Sequence, residues 1–146
     1  MRGTPIRRRL SLALLNASAL LVVVGGLYDV LTPGVPSHEI EFLRSMGEQP
    51  GPASLRLFRE LLRALGGALI GVGVGMFALV NLPFRRGERW AAWTIGVLIC
   101  ASEGINAVGM ARVGGPFWAP LTFVLLALLG LAVAYVPFPV FEGDPL

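Results

Sequence analysis

Leu10 to Leu31 reads LSLALLNASALLVVVGGLYDVL, a run with no charged side chain before Asp29. As a helix rising 1.5 Å per residue it is about 30 Å long, the thickness of a bilayer's hydrocarbon core. Arg7, Arg8 and Arg9 precede it, and Thr32 and Pro33 end it. Basic residues before an apolar run also open secretory signals, and Ala17-Ser18-Ala19 has the small residues of a cleavage site. The run is longer than a signal's apolar region, and a cut there leaves LLVVV at the new terminus. An uncleaved helix is expected.

Three further runs have comparable length: Leu61 to Leu82, stopped by Pro83; Trp90 to Met110; and Phe117 to Val136, closed by Pro137 and Pro139. Of the 146 residues, 55% are hydrophobic and only 14% charged, and mean hydropathy is +0.72. A soluble domain carries about 25% charged residues. A lipid-facing surface is therefore predicted, with membrane lipid as the first partner. Lipid leaves open strand edges unsatisfied, and the short alternating segments of a barrel are absent, so the spans are helices. The predicted fold is all-α: one polytopic membrane domain over residues 1–146, an antiparallel four-helix transmembrane bundle. Its helices cover about 10–31, 60–82, 90–110 and 117–136. The connections over 84–89 and 111–116 are short, as antiparallel neighbours require.

Residues 32–59 form a capping loop punctuated by Pro33, Pro36, Pro50 and Pro52. Within it, residues 38–46 are read as a short interfacial helix with Ile40, Leu43 and Met46 on one side. Ser37 is the expected N-cap and Gly47 the stop.

All twelve basic residues are arginine, and the net charge is +3. They flank apolar runs and form no basic face with interleaved aromatics, so nucleic acid is not an expected partner. With the N-terminus inside, Arg2, Arg7, Arg8, Arg9, Arg85, Arg86 and Arg89 face the cytoplasm. Arg44, Arg56, Arg59, Arg63 and Arg112 face the other side. That bias places both termini in the cytoplasm, in a bacterial inner membrane. Cys100, the single cysteine, lies within an apolar run as a packing residue.

Gly67, Gly71 and Gly75 recur every four residues and draw one stripe on the second span, broadened by Gly66 and Gly73. Ala92, Gly96, Cys100 and Gly104 draw a similar line on the third. Small residues let backbones approach closely, so these two spans are predicted to meet through these lines.

Glu103 and Asn106 interrupt LICASEGINAVGM, residues 98–110, at a spacing that puts both on one helix face. A carboxylate in hydrocarbon costs about 2.5–3.5 kcal/mol, so Glu103 must face the bundle, a cleft or a cation. Arg59, Glu60, Arg63 and Arg112 fall at the same membrane side, with His38 and Tyr28 nearby in the chain's course. These residues are read either as a buried polar network or as the lining of a ligand pocket roofed by residues 37–46. One histidine and one cysteine make no metal constellation. No nucleophile elbow, Walker loop or dinucleotide fingerprint occurs. Gly71-Val72-Gly73-Val74-Gly75 lies inside an apolar helix rather than a strand-to-helix turn. No cofactor is named by the residues.

The run Arg63-Ala64-Leu65-Gly66-Gly67-Ala68-Leu69-Ile70-Gly71-Val72-Gly73 is followed by the turn Arg85-Arg86-Gly87-Glu88-Arg89 and two more apolar helices. This arrangement resembles the DoxX-like small bacterial membrane proteins over about Tyr28 to Val136. The resemblance implies a compact four-helix bundle, sometimes associated with redox enzymes, and transfers no catalytic residue. The long first connection and the Glu103–Asn106 pair depart from it. The expected function is binding of a hydrophobic or quinone-like small molecule. An accessory subunit of a larger membrane complex, and a lipid-processing enzyme using Glu60 and Glu103, are the alternatives.

Overall fold

A computed structural model describes residues 5–135, which contain helices and turns and no strand. Helix α1 is Pro5–Leu31 and α2 is Ser37–Ser45. Helix α3, Pro52–Leu79, runs into a π turn at Val80–Phe84. Helix α4, Arg89–Ile99, passes through a second π turn at Cys100–Gly104 into α5, Ile105–Arg112. Helix α6 is Trp118–Tyr135. Four stretches, Ile6–Leu31, Pro52–Phe84, Arg89–Arg112 and Trp118–Tyr135, are long and apolar enough to cross a membrane. Val136, Pro137, Pro139 and Arg2, which the sequence reading used for a helix end and for charge bias, lie outside the described residues.

Several helices extend beyond their apolar runs. Helix α1 takes in Arg7, Arg8 and Arg9, and α3 begins at Pro52 rather than near residue 60. Proline suits a helix's first turn because its fixed φ is already helical and its missing N–H has no partner there. The capping loop therefore shrinks to residues 32–51, with α2 inside it. Ser37 is the first residue of α2 rather than its cap: the Pro36 carbonyl accepts the N–H groups of Glu39 and Ile40. Gly47, at φ +82°, ends the helix, and the Glu48 N–H closes back onto the Leu43 carbonyl.

The π turn at Val80–Phe84 has a local cause. In a tight α turn the Pro83 ring would strike the carbonyl four residues back. The widened turn relieves that, and the Arg85 N–H reaches the Val80 carbonyl, five residues back, at 3.1 Å.

Contacts fix an up-down-up-down course. Gly26 meets Gly66, Ala19 and Val23 meet Gly73, and Asn16 pairs with Asn81, so α1 and α3 are antiparallel. Ser11 Oγ donates to the Gly130 carbonyl at 2.8 Å and Ser18 Oγ to that of Phe123 at 2.7 Å, so α1 and α6 are antiparallel too. Gly96 approaches Leu131, placing α4 along α6. The core gathers Leu15, Ala19 and Val22 of α1, Leu69, Met76, Val80 and Phe84 of α3 and its π turn, Ile95 and Ile99 of α4, and Ala127 of α6.

The glycine expectation is corrected here. A Cβ on Gly67, Gly71 or Gly75 would meet nothing within 4 Å, whereas one on Gly66 would lie 2.5 Å from the Gly26 oxygen. Span two packs mainly on α1 through Gly66 and Gly73, and span three mainly on α6. The reason is rotational. Gly66, Leu69, Gly73, Met76 and Val80 follow the alternating three-and-four spacing that keeps one seam against a neighbour. The every-fourth-residue stripe points away from it. Likewise Gly104 has open space around it and Cys100 is exposed.

Candidate functional site

The buried seam of the third span runs Ala91, Ile95, Ile99, Glu103, Ala107, one residue in every four. In a regular α-helix that spacing drifts about 40° per step, so five such positions could not share a face. The wide turn at Cys100–Gly104 takes up the drift. Its consequence is to turn Glu103 inward, where it is 1% exposed. Asn106 Nδ2 donates to Glu103 Oε2 at 3.3 Å, while Oε1 is buried with no partner. The charged group acting on it is another acid, Asp29 of α1, itself within reach of Glu39 on α2.

The remaining residues of the expected cluster are divided. Arg63 Nη1 and Glu60 Oε1 form an ion pair at 3.1 Å on the outside of α3, with no hydrogen bond to Glu103 or Asn106. Tyr28 and Arg112 are exposed. Arg59 is half-buried with its Nε unpartnered. His38 lies over the turn between α5 and α6, against Gly115, with Nε2 buried and unpartnered. The sequence pairs Glu103 with arginines because opposite charges attract. The fold gives it a carboxylate instead, Asp29 of α1, which the linear order of the chain does not place beside it.

Helix α2 does sit over this end. Its Glu39, Phe42 and Leu43 join Phe58, Leu61, Leu62 and Val113 around a cavity of about 310 Å³. Burial pushes the Glu39 carboxyl above its ordinary 4.5, with the neighbouring His38 charge pulling the other way. The folded chain thus holds this proton more tightly than the unfolded chain. The resulting stabilisation is complete below about pH 4.5 and is lost as pH rises through the folded-state value. Amide exchange in α2, corrected for intrinsic rates, should therefore be slower at acid pH. Glu39→Gln should flatten that dependence; an unchanged profile would rule out Glu39 as its source.

A larger groove, about 690 Å³, opens between α4 and α6. Ala92, Gly96 and Cys100 form its recessed wall, facing Leu128, Leu131 and Tyr135, with Arg89 and Trp93 on α4 completing it. The small-residue line thus faces a cavity as well as a neighbouring helix. Because α4 and α6 are antiparallel, Arg89, Trp93 and Tyr135 fall at one end and Cys100 and Leu128 at the other. That layout suits an amphiphile: a donor and two aromatics at the helix ends, an apolar trough towards mid-span. Among the described residues, no three His, Cys, Asp or Glu side chains are arranged to hold a metal ion. No protein-family model, characterised protein or solved structure matches this chain.

Proposed function

We propose that this chain is a multi-pass protein of the bacterial inner membrane, both termini cytoplasmic, that binds a hydrophobic quinone-like molecule between α4 and α6. The groove's volume lies within the roughly 300–1,000 Å³ of small-molecule sites. A ring between Trp93 and Tyr135 would accept a hydrogen bond from Arg89, and its tail would lie along Val97, Cys100 and Leu128. The observation that carries this reading is the recessed wall of Ala92, Gly96 and Cys100, opposite apolar side chains and with an arginine at one end. The DoxX-like resemblance is part of the proposal. The alternative, an accessory subunit of a membrane complex, draws on the open small-residue face at Gly67 and Gly71, where another helix could approach.

Filling the groove tests the proposal. The full chain in lipid nanodiscs should bind a short-tailed benzoquinone and quench Trp93 emission. Gly96→Leu with Cys100→Leu should weaken binding by about tenfold or more, a loss of roughly 1.4 kcal/mol, with helicity unchanged. Equal binding by the filled variant sinks the assignment. Recovery of a stoichiometric protein partner without quinone binding favours the subunit reading.

A further inference from the structure

At the end of the bundle where α1 begins, Arg8, Arg85 and Arg86 converge with Asn81 and Leu82 around a depression of about 530 Å³. Arg8 Nη2 donates to the Arg85 carbonyl at 2.8 Å, which holds one guanidinium over the turn after α3. Among the described residues the only ion pair is Arg63–Glu60, at the other end of α3. No described carboxylate therefore neutralises these three arginines by direct pairing.

A second depression, about 500 Å³, adjoins the first and shares Leu82 and Arg86 with it. It runs along the outside of α3 past Leu79, Ala78 and Gly75, with Trp90 on its other flank. The space beside Gly75 is open, so this stretch is a furrow in an apolar helix surface. Its one carboxylate, Glu88, accepts a hydrogen bond from the Trp90 indole at 2.6 Å.

We propose that this two-part surface binds one anionic phospholipid, with its phosphate on Arg8, Arg85 and Arg86 and an acyl chain in the Gly75–Leu82 furrow. Guanidinium groups pair with phosphate oxygens through directed, charge-assisted hydrogen bonds. Basic pockets at the cytoplasmic ends of membrane helices recognise such headgroups. A soluble anion would use the arginines and ignore the furrow; a neutral lipid would use the furrow and ignore the arginines. The contiguity of the two selects a ligand that carries both parts. The inference rests on the membrane reading above and is independent of the quinone groove.

The test is native mass spectrometry of the full chain released from phosphatidylcholine nanodiscs doped with phosphatidylglycerol or cardiolipin. Assembly into nanodiscs reports the membrane reading separately, and quinone binding reports the groove. The wild-type chain should retain one anionic lipid in preference to phosphatidylcholine. Arg86→Gln, which breaks no described hydrogen bond, should weaken retention roughly fivefold, and Arg8→Gln/Arg86→Gln roughly 30-fold. Gly75→Leu, which fills the furrow and leaves every arginine in place, should also reduce retention. Arg44→Gln/Arg56→Gln, away from the site, should retain lipid as the wild type does. Equal retention of neutral and anionic lipid overturns the proposal, as does unchanged retention in the arginine variants. So does displacement of the lipid by glycerol phosphate alone, which would mark a simple anion site.

Discussion

Gly66→Ala should destabilise the bundle by about 1–3 kcal/mol, as overpacking a tight core does, while Gly67→Ala one residue later should cost nothing measurable. The two positions differ only in the direction they face. A methyl group on Gly66 would lie 2.5 Å from the Gly26 oxygen, 2.8 Å from Asp29 Cβ and 3.0 Å from Val30 Cγ2. The first of these is backbone, which no side-chain rotation can move aside, so α1 and α3 must separate. Separation is costly because Asn16 and Asn81 join the same two helices farther along, with Asn81 Nδ2 donating to Asn16 Oδ1 at 2.7 Å. Gly73→Ala should behave like Gly66→Ala, since its added carbon would lie 2.6 Å from Val23 Cγ2 and 2.9 Å from the Ala19 oxygen. Gly71→Ala, facing open space, should behave like Gly67→Ala. Thermal unfolding of each purified variant in one detergent, followed by circular dichroism, gives the comparison. Equal losses at Gly66 and Gly67 would place the α1–α3 contact on the wrong side of α3.

The contrast also explains what could be read from the chain and what could not. Four runs of about twenty apolar residues determine four long helices almost by length alone, because hydrocarbon permits few other spanning structures. Rotation about each helix axis is a different matter. In water a helix shows its buried side by being apolar there and polar elsewhere; in lipid both sides are apolar, and Trp93, Val97 and Ile105 are among the most exposed side chains of span three. The glycines repeating every fourth residue are conspicuous, yet the packed seam uses Gly66 and Gly73. Helix ends do not follow apolarity: Pro52 to Glu60 is helical and mixed in polarity. The wide turn at Cys100–Gly104 has no proline to announce it. It shows only as a four-residue repeat of buried positions, Ala91 through Ala107, that a regular helix could not sustain. Asn16, Ser18 and Asn81 each join two helices, since a polar group in an apolar run needs a partner. The same logic turns Glu103 inward and puts Asn106 on its face of the helix. It did not place Asp29 beside it, because that proximity depends on how α1 packs.

Glu103→Met should stabilise the protein, by about 1–2 kcal/mol. The carboxyl is enclosed, and an acid at the centre of a membrane helix costs about 2.5–3.5 kcal/mol on insertion scales. Against this stands a single hydrogen bond from Asn106, long at 3.3 Å, of a kind worth about 1 kcal/mol net. Oε1 has no donor at all, and Asp29 lies within electrostatic reach with the wrong sign for an ion pair. Methionine has nearly the same length and adapts its shape, so the substitution leaves little void. Asn106 is half-buried rather than enclosed. Replacing a buried polar group with an apolar one of similar volume is then favourable, as it is for buried ion pairs exchanged for hydrophobic side chains. Unfolding of Glu103→Met and Glu103→Gln beside the wild-type chain distinguishes the two readings of this residue. A loss of stability on removing the carboxyl would make it a structural tie between helices. A gain would mean that the bundle folds in spite of Glu103, and a stability cost of that kind is characteristic of residues retained for what they do. Its inward position would then direct the search for chemistry to the end beneath α2, apart from both the quinone groove and the arginine cluster.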